Sequence, residues 1–128
     1  MKILGIDYGE KRIGLAISDE TLTLARELTT LSPKEIWEHL PLIINENDVR
    51  RIVLGWPLNM SGQETKKTEE VASFKLELEK KTGLTVEIMD ERLSSQMAEG
   101  LPGGDHNTDS LAAQIFLQNY LNKQKNKF

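Results

Sequence analysis

Cysteine is absent from this 128-residue chain. That removes disulfides and thiolate metal sites from consideration, and it fits a reducing cytoplasm. No run of about 18 apolar residues occurs, so no membrane span is expected. The first apolar segment begins at Ile3, so no signal peptide is expected. An excess of basic charge is lacking too: the formal net charge is −4, where a nucleic-acid binder usually shows a basic patch. Any contact with a polyanion must therefore be local. No internal repeat is present. What remains is a chain of ordinary charged and apolar content, expected to form one domain over residues 1–128 with a core that needs no staples.

The most informative stretch is the first eighteen residues. Ile3–Ile6 and Arg12–Ser18 have the pattern of two short strands joined by a tight polar turn carrying Gly9. In the second run Ile13, Leu15 and Ile17 alternate with Gly14, Ala16 and Ser18. One face is bulky, and the other lets a helix or ligand approach closely. Asp7 ends the first strand, where a carboxylate is costly unless it binds something. Lys11 and Arg12 follow in the turn, so acid, glycine and cations together suggest a site for metal and phosphate.

A third strand is expected within Leu22–Leu31, centred on Leu24–Leu28. Ser32, Pro33 and Glu35 form a helix start with a capping box, and Ile36, Trp37, Leu40, Ile43 and Ile44 recur at helical spacing. Pro41 falls inside that helix and should kink it. Arg51–Gly55 is a short strand of the kind buried on both faces, followed by a loop from Gly55 to Glu64 rich in turn residues. Thr65–Thr82 is a charged helix with Val71, Phe74 and Leu78 inward and Gly83 as its stop. Thr85–Asp90 is the next strand. Ser94 or Ser95 can cap a short helix to Glu99, Leu101–Asn107 is a connection, and a last helix runs from about Thr108 to Leu121. The tail 122–128, with Lys123, Lys125 and Lys127, is expected to fray.

Strand–helix–strand units require parallel pairing with right-handed crossovers, so the first, fourth and fifth strands should run together. Ligands of such sheets sit beyond the carboxyl ends of the strands. Asp7, the Gly55 loop and Asp90-Glu91 all emerge at that edge. Asp109 stands in the first turn of the final helix, where the helix dipole favours an acid. If that helix docks against the first strand, Asp7, Glu91 and Asp109 form a cluster whose mutual repulsion calls for a divalent cation. Oxygen ligands suit Mg²⁺ or Mn²⁺, and two such ions about 4 Å apart can clamp both oxygens of a phosphodiester under attack. No Ser or Cys nucleophile is then needed. Asp90 rivals Glu91, because alternation along the strand aims only one of them at the site.

Simpler roles fit several residues. Asp7 could merely shape the turn, Glu91 could pair with Arg92, and Asp109 could be an ordinary helix-start charge. Lys11, Arg12 and Arg92 surround the presumed cluster and could hold phosphates. Lys66 and Lys67 have the pattern of a solvated helix face. His39 fits a bystander, His106 sits in a glycine-rich loop, Trp37 fits the core, and Trp56 is either buried or a base-stacking surface.

The segments Gly5–Asp19, Gly55–Gly62, Asp90–Ser94 and Asp109–Leu121, in that order and spanning nearly the whole chain, resemble the YqgF/RuvX family of ribonuclease H-like nucleases. The resemblance implies an α/β fold with a five-stranded mixed sheet of order 3-2-1-4-5. It implies Asp7, Glu91 and Asp109 as catalytic and metal-binding acids, and Lys11, Arg12, Arg92, Gly9 and Asn59 at the substrate. It also implies hydrolysis of structured RNA in maturing the 5′ end of pre-16S ribosomal RNA, or of branched DNA as in Holliday-junction resolvases, by a monomer or homodimer. The chain departs from the family pattern twice. No Lys or Arg occurs between Leu93 and Leu121, where the family carries a basic stretch, and Trp56 replaces a smaller residue. Two other classes stay open: an ATP-binding module, since Gly-Ile-Asp-x-Gly turns also open actin- and hexokinase-like domains, and a non-catalytic RNA- or protein-binding relic.

Overall fold

The computed structural model describes residues 1–58, 61–90 and 108–125. Its elements are β1 (Lys2–Asp7), β2 (Ile13–Ser18), β3 (Ala25–Leu31), α1 (Ile36–Glu46), β4 (Val49–Trp56), α2 (Lys66–Thr82), β5 (Thr85–Asp90) and α3 (Thr108–Lys125). The strands form one sheet of order β3-β2-β1-β4-β5. β1–β2 and β2–β3 are antiparallel, while β1–β4 and β4–β5 are parallel, as crossovers through helices require.

Alternation along the strands sorts the apolar residues onto two faces. Leu4, Ile6, Ile13, Leu15, Ile17, Ile52, Leu54 and Val86 meet α1 through Ile36 and Leu40, and α2 through Val71, Phe74 and Leu78. Trp37, Ile43 and Ile44 join this cluster at its margin, so the helical spacing read from the sequence marks the side of α1 that is buried. The other face carries Ile3, Ala16, Ala25 and Val53, covered by Ala113, Phe116, Leu117, Tyr120 and Leu121 of α3. The small residues of β2 are on this second face. Gly5 shows how close the helix comes: a Cβ there would lie 3.0 Å from Leu117 Cβ and 3.3 Å from the Ala113 carbonyl oxygen.

β4 is longer than the expected Arg51–Gly55, running from Val49 to Trp56, and three further boundaries differ for reasons the hydrogen bonds and helix span show. β3 begins at Ala25 because the Asp19 carboxylate accepts from the N–H groups of Thr23 and Leu24 (2.8 and 3.3 Å), holding residues 19–24 in a turn. Ser32 and Glu35 do exchange the two bonds of a capping box (3.2 and 3.3 Å), yet regular helix starts only at Ile36 and continues through Pro41 to Glu46. The final helix continues past Leu121 to Lys125, with Gln118 donating to Asn122 at 3.1 Å in its exposed last turns. The expected helix from Ser94 or Ser95 to Glu99 and the 101–107 connection lie outside the described residues.

α3 is fixed to the sheet by polar clamps as well as apolar contact. Gln118 Oε1 accepts from the Ala25 N–H (2.8 Å), its Nε2 donates to the Thr23 carbonyl (2.9 Å), and Gln114 Nε2 donates to the Ala25 carbonyl (3.1 Å). Two residues beyond Gln118, Tyr120 accepts from Arg51 of β4 at 2.9 Å, on the other side of β1 from β3.

Candidate active site

Asp7 is the last residue of β1, the central strand. It lies opposite Gly14 of β2 in the antiparallel register, and Gly55 follows Leu54, the β4 partner of Ile6. The half-buried carboxylate thus stands between two positions that carry no side chain. It shares the parity of Ile3 and Gly5, which puts it on the face covered by α3.

The direction of α3 follows from its contacts. Tyr120 meets Arg51, which pairs with Ile3 at the start of β1, whereas Ala113 and Leu117 meet Gly5 further along. The helix therefore runs against β1, and its first turn, containing Asp109, lies toward the rim where Asp7 stands. Asp109 is one turn ahead of Ala113 along the helix. Its side chain lies outside the described residues, as do Glu91, Arg92, Asn59 and His106.

β5 places Asp90, the alternative to Glu91. Met89 packs with the α3-side cluster, while Val86 packs with the α1/α2 side. Asp90 has the parity of Val86 and belongs to the face away from Asp7. Among the described residues no three metal-ligating side chains gather in one place.

The turn after Asp7 opens into a cleft of about 520 Å³ lined by Gly9, Glu10, Lys11, Arg12, Lys66, Lys67 and Glu70. Gly9 is required by the turn itself, since a Cβ would collide with the Arg12 carbonyl oxygen. Lys11 and Arg12 are exposed, and they face the first turn of α2. Beside the cleft, Tyr8 stacks on Phe74 (ring centroids 4.6 Å apart), and Phe74 on Trp37 (5.5 Å). Burial, then Glu70, Glu10 and Glu77, push the Tyr8 hydroxyl above its usual pKa. Trp56 is half-buried and packs at the margin of the core on the α1/α2 side. His39 is exposed on α1.

Thr68 is a structural residue that sequence reasoning missed. Fully buried at the start of α2, its hydroxyl accepts from the Thr65 N–H (2.9 Å) and donates to the Pro57 carbonyl. It thereby ties the loop after β4 to α2. The signal available was weak: a threonine three residues after another, at a helix start.

This sheet order, with an acid ending the central strand and a helix start brought to the same rim, defines a ribonuclease H-like fold of the nuclease class. A family model described as "RuvX: Holliday junction resolvase" matches residues 1–123, and the chain belongs to that family. It is similar to a "Putative pre-16S rRNA nuclease" of Carboxydothermus hydrogenoformans, 41% identical over 138 residues covering 98% of this chain and 100% of the relative. A protein of the same name from Thermoanaerobacter pseudethanolicus is 38% identical over 139 residues, covering 99% of this chain and 100% of the relative. Among solved structures, T. thermophilus RuvC in complex with Holliday junction substrate aligns with TM-score 0.63 at 15% identity, covering 98% of this chain and 96% of that one; the likeness is one of fold.

Proposed function

We propose that the protein is a divalent-metal-dependent nuclease that hydrolyses phosphodiester bonds of structured RNA in the cytoplasm, with 5′-end maturation of pre-16S ribosomal RNA as its role. The observation that carries this is the Asp7 carboxylate at the end of the central strand, flanked by Gly14 and the Gly55 position, at the rim toward which α3 directs its Asp109-bearing first turn. Oxygen donors of this kind fit Mg²⁺ or Mn²⁺. Asp7, Glu91 and Asp109 would hold the metal, which supplies charge neutralisation at the phosphate and a lowered pKa for the attacking water. Alternation along β5 puts Asp90 on the face away from Asp7, which supports Glu91 over it.

This chain's own contribution is positional. Gly14 and Gly55, both buried, put no side chain beside Asp7 that would compete with a ligand for its carboxylate. Lys11, Arg12 and Arg92, with Gly9 and Asn59, bind the strand being cut, Arg by a bidentate grip. The names of the relatives favour ribosomal precursor RNA, while the family description favours branched DNA as the second reading.

The test is cleavage of a 5′-extended 16S precursor fragment and of a four-way DNA junction, each in Mg²⁺ and in Mn²⁺. Asp7→Asn is expected to reduce cutting of the RNA at least about 100-fold, on the scale of losing a group that acts at the reacting centre, with thermal unfolding unchanged. Equal cutting by the variant would remove the nuclease reading. Cutting confined to the junction would transfer it to DNA.

A further inference from the structure

The cleft beyond the β1–β2 turn has a composition unlike the rest of the chain. Four cations from two elements, Lys11 and Arg12 of the turn and Lys66 and Lys67 of α2, line one concavity, and among the described residues Glu10 and Glu70 are the acids lining it. The chain as a whole carries a net charge of −4, so this is a local reversal of sign. Further along α2, Lys75 pairs with Glu79 at 2.6 Å and Lys81 with Glu77 at 3.8 Å, while Lys80 stands alone rather than in a cluster. Among the described residues, Lys11, Lys66 and Lys67 have no carboxylate within ion-pairing distance, although Glu10 and Glu70 line the same walls. These three lysines repel one another and Arg12, and an anionic ligand relieves that repulsion.

The volume of about 520 Å³ falls in the roughly 300–1,000 Å³ range of ligand sites. Its charged, open lining suits a phosphate chain rather than an apolar molecule. Position adds a constraint. The cleft begins two residues after Asp7 but opens toward α2, on the side of the sheet away from α3. An anion held there is therefore next to the catalytic rim without occupying it.

We infer that this cleft is a second phosphate-binding site, taking backbone phosphates of the nucleic-acid substrate away from the bond that is cut, with Lys66 and Lys67 as binding residues alongside Lys11 and Arg12. The inference rests on the nuclease reading and extends it. The substrate strand crosses the rim from the α3 side to the α2 side, so productive substrates must carry nucleotides beyond the cut on the α2 side. The cleft also supplies cationic contacts of the kind that the stretch between Leu93 and Leu121 lacks.

The experiment measures binding of a fluorescein-labelled RNA hairpin with a single-stranded 5′ extension, and of a four-way DNA junction, by anisotropy across a salt series. The Lys66→Ala/Lys67→Ala variant is compared with the wild type and with Lys80→Ala/Lys123→Ala as a control for general charge loss. The expected result is about tenfold weaker binding, with a slope of log K against log salt shallower by about 1.4 to 1.8, the value for two lost phosphate contacts. The control should bind like wild type. Which of the two nucleic acids loses more affinity identifies the backbone that the cleft takes. Unchanged affinity and slope in the Lys66/Lys67 variant would overturn the cleft alone, leaving the nuclease reading intact. Failure of the wild type to bind either nucleic acid would overturn both. Thermal unfolding of each variant separates lost binding from lost fold, and Lys66→Gln/Lys67→Gln repeats the measurement if the alanine pair unfolds early.

Discussion

At the scale of single residues, the site is made as much by what is missing from side chains as by what they carry. Gly14 and Gly55 flank Asp7, and Gly5 one step back admits α3. Replacing Gly5 by Val puts a branched side chain where even a Cβ would be 3.0 Å from Leu117. Overpacking of this kind typically costs about 1–3 kcal/mol. Denaturant unfolding of Gly5→Val should show that loss, and cleavage should fall with it because the Asp109 turn is pushed from the rim. Wild-type stability in this variant would mean that α3 has more freedom than its packing implies. The alternation of Gly14, Ala16 and Ser18 announced this close face in the sequence. Whether a helix or a ligand occupied it was not legible, because the helix that does so comes from the other end of the chain.

At the scale of elements, short polar contacts decide where each begins and how it is tied down. The Asp19 carboxylate, held below its usual pKa by the N–H of Thr23 above all, sets the turn that delays β3. Apolar residues Leu22 and Leu24 drew the sequence reading too early, since periodicity does not register a side chain capping a backbone turn. Thr68 does comparable service between the loop after β4 and α2. Thr68→Val keeps the shape and removes both hydrogen bonds, leaving the Pro57 carbonyl and the Thr65 N–H without their partner. A loss of about 1–3 kcal/mol is expected by denaturant unfolding, as for other buried groups stripped of a partner. Thr68→Ser should recover most of it. Equal stability of Val and wild type would show that the loop is held by other contacts.

At the scale of the whole molecule, α3 grips the sheet on both flanks of β1, by the glutamine clamp at β3 and by Tyr120 at β4 and β5. Tyr120 is buried, and burial is the main reason its pKa is raised. Its hydrogen bond with Glu87 adds to the rise and Arg51 opposes it. A raised pKa means that the folded state favours the protonated phenol. The resulting stability is present in full below the unfolded value of 10.0 and is lost as pH rises through the higher folded value. Melting temperature should therefore fall above pH 10 more steeply in the wild type than in Tyr120→Phe, which has no proton to lose. Parallel curves for the two proteins would refute the linkage.

The strand pattern, the two sheet faces, the inward residues of α1 and α2, and Asp7 at a strand end were all legible in the sequence, because alternation and helical period are local consequences of backbone geometry. The family resemblance added the strand order. Tertiary structure alone decided that α3 runs against β1, that Asp90 faces away from Asp7, and that Lys66 and Lys67 join Lys11 and Arg12 in one cleft. Those relations depend on the twist and register of strands distant in sequence, which no local pattern encodes.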